Sequence, residues 1–290
     1  MTLELYDRQS TIPVIAEAQP LVRSGSVFGR IGTLETRLTQ SRQEIEAAQR
    51  IRYRVFVEEM GAELPAEAMR ACRDFDAFDD ICDHLIVLDT AIDGDSCDQI
   101  VATYRLLRQE VAEKHSGFYS AGEFDIAPLL ARHPAKRFME LGRSCVLPHY
   151  RTKRTVELLW QGNWAYALKH GLDVMFGCAS FPGRVPELHA LALSFLHHNA
   201  TARSDWSVKA AEGRALNMDL MPVEAINARQ ALAAMPPLIK GYLRLGAMVG
   251  EGAVVDLPFG TTDVLIVLPM ESISSRYINY YGADAQRFAS

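Results

Sequence analysis

Cysteine is scarce. Only Cys72, Cys82, Cys97, Cys145 and Cys178 occur in 290 residues, and no two of them form a C-x-x-C pair. An odd set of scattered thiols supports neither a disulfide framework nor the usual zinc spacings, so no metal site is expected and a reduced, cytoplasmic setting is. Positive charge is in deficit as well: 30 Lys and Arg face 36 Asp and Glu, a net of −6 that argues against a nucleic-acid coat. Long apolar runs are missing. The longest uncharged stretch, Leu188 to Ala202, holds three His and falls short of the roughly 20 apolar residues that a membrane span takes. The opening MTLELYDRQSTIPVIAEAQP has acids and no basic-then-apolar run, so no secretory signal is expected in it. Neither G-x-G-x-x-G nor G-x-x-x-x-G-K-[ST] appears, which removes the usual support for a nucleotide cofactor.

What is present is enough apolar material for a packed core, 49% hydrophobic against 23% charged. Residues 1–30 have no clear period and read as a surface arm; residues 31–290 read as one domain with a C-terminal extension. Alternation at Gly32–Thr39 predicts a strand. Ser41 with Glu44 three places on forms a capping box that opens a helix from Arg42 to about Val57. His84–Ala91 and Ile100–Leu107 read as a hairpin across DGDSCD, Phe138–Leu147 as a buried strand, and Thr155–His170 as a helix stopped by Gly171. Leu172–Ala179 is a strand, Pro186 opens a helix Glu187–His198, and Asp263–Pro269 is a strong late strand. Between them a strand near Arg214–Leu220, a helix Val223–Ala234 and a short amphipathic helix PPLIKGYLRLG are expected. That last helix packs on a core or lies on a membrane surface. Strands alternating with helices predict a mixed α/β sheet covered on both faces.

Three places carry charge where charge is costly. On the first helix, at 100° per residue, Ile45, Ala48, Val55 and Phe56 share a face, and Arg52 falls in its middle while Arg50 and Arg54 point away. A guanidinium keeps its charge, so an inward Arg52 requires carboxylates or a bound anion, unless it snorkels along the edge of the stripe. Asp76 and Asp79 in D-A-F-D are close carboxylate sources. Glu140 and Arg143 sit inside the apolar strand FMELGRSCVL, three apart; a bulge near Gly142 would bring both to one side of the sheet. Cys145 near His149 invites a nucleophile reading, but no orienting partner is visible and a small buried Cys fits as well.

These residues resemble a known family. Arg52 and Phe56 in R-x-x-x-F, Asp76, Phe78 and Asp79 in D-x-F-D, Arg105 at a strand end, and Glu140 and Arg143 in E-x-x-R resemble the acyl-homoserine-lactone synthases, which have the GCN5-related N-acyltransferase fold and take acyl chains from acyl carrier protein. The runs ELGRSCVLPHYRTKRTVELLWQGNWAYA and PPLIKGYLRLGAMVGEGAVVD, with FGTTDVLIVLP, resemble the bacterial ornithine Nα-acyltransferases of ornithine-lipid synthesis over nearly the whole chain. There are two departures from the wider families. Ala62 stands where the lactone synthases carry Trp, and Arg154 and Val156 stand where acetyl-coenzyme A enzymes have the glycines of R/Q-x-x-G-x-G/A, whose amides hold the pyrophosphate.

The resemblance implies transfer of a 3-hydroxyacyl group from acyl carrier protein to the α-amine of ornithine, with no cofactor beyond the carrier's phosphopantetheine. Glu140 is the expected base, and amides near Ser144, Cys145 and Val146 are expected to hold the oxyanion. Arg52 or Arg105 would grip the acceptor carboxylate, Asp76 or Asp79 a cationic side chain, and Phe56 and Arg143 complete the substrate site; alternatively the first four form a structural ion-pair lattice. Between Arg132 and Thr155 seven bases face one acid, and the dense run Arg151, Lys153, Arg154 is expected to dock the acidic carrier. A lactone synthase, an enzyme acting on glutamine or lysine, and a non-catalytic carrier-binding protein remain alternatives. The setting implied is cytoplasmic, with peripheral contact at the inner membrane as a further option.

Overall fold

A computed structural model of the chain describes residues 27–274 together with Tyr277. The expected arm lies outside these residues up to position 26, and its remainder is not an arm: Val27–Ile31 is strand β1, with Phe28 fully buried in the core. β1 turns back through Gly32 onto β2 (Leu34–Leu38), which pairs with β3 (Asp83–Asp89), and β3 with β4 (Ile100–Arg108). β5 (Phe138–Val146) continues the antiparallel order, β6 (Val174–Pro182) joins β5 in parallel, and β9 (Thr261–Pro269) closes against β6 with β7 (Met248–Val249) and β8 (Val254–Asp256) on its far side.

Strand alternation assigns the two faces. Leu85 and Val87 point to helix α2 (Lys153–Lys169), while Ile86 and Leu88 point to helix α1 (Arg42–Tyr53), so the helices cover opposite sides of β3 and β4. α1 starts at the expected cap but not at a full box: Ser41 Oγ accepts from the Glu44 amide, whereas Glu44, drawn away by Arg37, from which it accepts bidentately, takes the Gln40 amide instead of that of Ser41. Its last turns widen into π-helical Arg54–Glu59, a local distortion frequent at functional sites. α3 (Ala190–Ala200) follows a 3₁₀ turn, Pro186–His189, instead of running unbroken from Glu187. α4 (Pro237–Leu245) packs its apolar side inward through Ile239, Tyr242 and Leu245, so it is a core helix.

The least periodic third departs most from expectation. Residues 214–220 make only a single bridge, Leu216 to Ala253, because Asn217 Oδ1 accepts from the Asp219 amide and bends the backbone away from a ladder. Val223–Ala234 is a 3₁₀ turn followed by a separate helix, Ala228–Ala234, that Asn227 restarts by capping the Gln230 amide.

One feature of the sheet positions everything else. β5 and β6 pair only at Phe138, Met139 and Glu140, opposite Val174, Met175 and Phe176, and then part. Where they part, a Cβ on Gly177 would come within 2.2 Å of the Leu141 carbonyl oxygen, so only glycine fits there.

Candidate active site

The bulge expected near Gly142 is present. Thr103 opposes Cys145 and Arg105 opposes Gly142, so Tyr104 alone faces two residues of β5, Arg143 and Ser144. Arg143 takes φ +49°, unusual for a residue with a side chain. The extra residue brings Glu140 and Arg143 to the same segment: Glu140 accepts from the Tyr119 amide (2.8 Å), the Ser120 amide (2.6 Å) and Ser120 Oγ (2.5 Å), while the Arg143 guanidinium lies between the rings of Tyr119 (4.7 Å) and Phe259 (4.4 Å). Burial raises the Glu140 pKa above the ordinary carboxylate value, and the Ser120 and Tyr119 donors oppose that rise.

Glu140 and Arg143 do not pair with each other. Arg143 sits 3.2 Å from both Asp74 Oδ2 and Asp76 Oδ2. Burial opposes its charge, and Asp74, Tyr119 and Asp76 more than offset that, so its pKa is raised. Arg52, with no exposed surface, bonds Asp74 (2.9 Å) and Asp79 (2.7 Å), and Arg105 bonds Asp76 (2.6 Å) and reaches Asp79 at 3.4 Å. Asp74, Asp76 and Asp79 thus alternate with Arg52, Arg105 and Arg143 in one buried lattice. Burial pushes Asp79 upward, but Arg52 and Arg105 outweigh it and hold the carboxyl at about 2. The Asp76–Asp79 segment is also locked by its own reciprocal cap, in which Asp76 takes the Phe78 amide and Asp79 the Asp76 amide.

A cavity of about 990 Å³ opens where β5 and β6 part. Phe56, Glu140, Arg143, Ser144, Cys145 and Val146 line it; Arg52, Arg105, Asp76 and Asp79 lie behind its wall. The sequence therefore brings ten expected residues together, but only the first six face the space a substrate would occupy. One end is apolar, between α2 and α4, with Leu159, Trp160, Leu238 and Leu245 on its walls. On the β5 edge, the Leu147 amide donates to Val101 on β4, so by strand alternation the Val146 amide points the other way, into the gap. The Val146 carbonyl, on that same side, is held by Arg151 Nε at 3.1 Å. Burial pushes the Cys145 thiol up to about 12, which removes the thiolate that a nucleophile needs.

At the mouth, Arg151 forms a two-pronged pair with Glu59 (2.6 Å each), Lys153 lies 3.2 Å from Glu157, and Arg154 is exposed. Arg151, Lys153 and Val156 line the cavity; Arg154 does not. α2 begins here with Thr152 as its cap.

Sequence patterning does not single out several residues that the fold brings in. Asp74 is one acid among many in its loop. Tyr119, Ser120 and Phe259 come from irregular segments with no pattern to find. Asp256, Asp263 and Glu123 form a second group of acids at the cavity.

Residues 51–161, running from the last turn of α1 into α2, match the acetyltransferase (GNAT) domain family. An L-ornithine N(alpha)-acyltransferase of Rhizobium meliloti (strain 1021) is 66% identical over 296 residues, which cover 100% of this chain and 99% of that protein. An L-ornithine N(alpha)-acyltransferase of Agrobacterium fabrum (strain C58) is 65% identical over 290 residues, 99% of each chain. Among solved structures, an N-acyl amino acid synthase from uncultured soil microbes aligns with a TM-score of 0.46 at 12% identity, over 82% of this chain and 91% of its own. Identity near two thirds over essentially the whole of both chains leaves one conclusion: this chain is an acyltransferase and belongs to the L-ornithine N(alpha)-acyltransferase family.

Proposed function

We propose that the protein transfers a fatty acyl group from acyl carrier protein to the α-amine of ornithine, giving a lyso-ornithine lipid. The observation that carries this reading is the position of Glu140, buried in the cavity wall at the point where β5 and β6 separate, with Arg143 on the same side and an apolar bore beyond. The α-ammonium gives its proton to Glu140, directly or through one water, and the free amine attacks the thioester carbonyl. The oxyanion is held by the Val146 amide at the strand edge. As the C–S bond breaks, the nitrogen gives up its second proton, which the phosphopantetheine thiolate takes to leave as the thiol, and the amide forms; no metal or organic cofactor enters these steps. Arg143, whose guanidinium reaches the cavity, takes the acceptor carboxylate. Arg52, Arg105, Asp76 and Asp79 set the position of Arg143 and of the β5 bulge.

The donor reading rests on the mouth. The pyrophosphate cradle of coenzyme A enzymes needs glycines, and Val156 puts a side chain into the cavity where one would be. The run Arg151, Lys153, Arg154 gives an acidic carrier a basic surface, with the exposed Arg154 contributing most because Arg151 is paired with Glu59 and Lys153 with Glu157. No helix among the described residues is long and apolar enough to cross a membrane. We keep a cytoplasmic setting, and any peripheral membrane contact would use a surface other than the inward-packed α4.

The test is a mass-spectrometric assay with one acyl chain presented on acyl carrier protein and on coenzyme A. Acylated ornithine is expected, with kcat/KM at least about tenfold higher for the carrier. Equal kcat/KM for the two donors would overturn the carrier assignment, and absence of acylated ornithine would overturn the acceptor.

A further inference from the structure

Across the cavity from Glu140 lies a group of carboxylates that the proposed reaction leaves unused. Asp263, inside β9, and Asp256, at the end of β8, line the cavity; Glu123, just past the turn Tyr119–Gly122, stands beside Asp263. A carboxylate oxygen of Glu123, one of Asp263 and Cys178 Sγ all lie within 4.8 Å of one another. Two atoms here lack a well-formed hydrogen bond among the described residues. Asp263 is only 5% exposed, yet its Oδ1 has no hydrogen-bond partner, and neither has Oγ1 of Thr261, 3% exposed; both residues line the cavity.

A buried acceptor atom without a donor costs free energy, and a buried carboxylate without a counter-ion costs more. Arg214 and the Cys178 thiol each reach Glu123 at 3.4 Å, and among the described residues Asp256 accepts only the Phe259 amide. Burial and the neighbouring acids push Glu123 up to about 7 and Asp263 to about 6, and the nearby Thr261 and Ser180 hydroxyls oppose the rise at Asp263 only in part. Among the described residues the recess holds more carboxylates than paired cations, and Asp263, Asp256 and Thr261 line the cavity.

We propose that this recess binds the side-chain ammonium of the acceptor, with Asp263 as its main partner and Thr261, Asp256 and Glu123 completing the site. The inference rests on the reading of ornithine as acceptor and replaces Asp76 and Asp79, whose charges are spent on arginines, as the groups that recognise a cationic side chain. The spacing fits. Ser120 Oγ lies 2.5 Å from Glu140 Oε1 and 3.4 Å from Cys178 Sγ, which is itself within 4.8 Å of the Asp263 carboxylate. The two amino nitrogens of an extended ornithine are about 6 Å apart from standard bond lengths, so one acceptor can present its α-amine to Glu140 and its other amine to Asp263. Arg143 lines the same cavity and is the group proposed for the carboxylate. Glu123, Cys178 and Asp263 are also metal-ligand types, so a metal is the rival occupant, which a chelator separates from the ammonium.

The test compares ornithine with norvaline, the same carbon chain without the second amine, using the acyl-carrier donor and both wild-type protein and Asp263→Asn. Wild type is expected to prefer ornithine. Asp263→Asn should cut the ornithine-to-norvaline ratio of kcat/KM at least about thirtyfold, through a higher KM for ornithine, with norvaline no worse than before. Thr261→Val should shift the ratio in the same direction by less, and it carries the test if Asp263→Asn does not fold. An unchanged ratio in a folded variant, or an equal fall for both acceptors, overturns the subsite. A wild-type preference that a chelator abolishes overturns it in favour of a metal. A wild type that acylates norvaline as readily as ornithine overturns the acceptor reading itself.

Discussion

Two buried charge clusters flank the cavity, and they are built on opposite principles. In the lattice, Asp74, Asp76 and Asp79 meet Arg52, Arg105 and Arg143, acid for base, and Asp79 is held at about 2. In the recess, Arg214 pairs with Glu123 alone, Asp263 feels Arg143 only without a direct pair among the described residues, and Asp263 is pushed up to about 6. The balanced cluster has little left to offer a substrate, apart from the face of Arg143 that reaches the cavity. The unbalanced one keeps unmet demand for a cation. Charged residues that look catalytic in a sequence therefore divide by what the fold has already given them, and the unsatisfied group is the better candidate for binding.

The largest effect should come from breaking the balanced cluster. Arg52→Met removes the cation shared by Asp74 and Asp79 and leaves both carboxylates buried with one partner fewer. Breaking a buried pair this way costs about 3–5 kcal/mol, a large part of the roughly 5–15 kcal/mol that holds a typical domain together. The urea midpoint should fall sharply, and activity should vanish with the fold. A variant that keeps its midpoint but loses ornithine binding would return Arg52 to the acceptor site.

Glu140→Gln sharpens the comparison from the catalytic side, because Glu140 belongs to neither cluster. Its partners are the Tyr119 and Ser120 amides and the Ser120 hydroxyl, while Arg143 is paired elsewhere, so the substitution strands no buried arginine. The fold should survive with a small loss of stability. Loss of a general base typically lowers the rate about 10²–10⁴-fold, and the deficit should shrink as pH rises toward the amine's pKa and free amine accumulates. Turnover near the wild-type rate at neutral pH, or a deficit that stays constant with pH, would remove Glu140 from the proton transfer.

Much of this architecture is legible in the sequence, for identifiable reasons. Helix periodicity alone places Arg52 inward, and the bulge follows from two charges three apart in an apolar strand. The same argument applies to Asp263, an acid in TTDVLIVLP, but the apolar pattern starts the strand at Asp263, whereas it begins at Thr261 and puts the acid inside it. Asp256 sits on a three-residue strand, too short for any period to register, and Glu123 follows a turn with no pattern. Nor does a single sequence reveal saturation. Substrate binding and an ion-pair lattice both stay open for Asp76 and Asp79 there because their arginine partners are distant in the chain: Asp79 lies 27 residues from Arg52 and 26 from Arg105, and Asp76 lies 67 from Arg143.

The smallest expected effect tests whether the recess is held at a cost. Asp263 has a folded-state pKa of about 6 and an unfolded value of about 3.9, so the folded state binds its proton more tightly. Stability attributable to this group then rises as pH falls from about 7 toward 4, and above pH 7 its ionised form is a standing penalty on the order of 2 kcal/mol. Asp79 runs the other way, contributing stability above about pH 4 that is lost toward pH 2. His84, kept neutral mainly by burial with its pKa pushed down to about 4, costs stability as pH drops below 6.5. Wild-type stability against pH mixes all three, but the difference between Asp263→Asn and wild type isolates the recess, since Asp79 and His84 are common to both. The variant should unfold at a higher urea concentration than wild type at pH 8, and the gap should close as the pH is lowered to about 4.5. A gap that is absent at pH 8, or that keeps its size across that range, would mean that Asp263 already has its counter-charge and that the recess is as settled as the lattice.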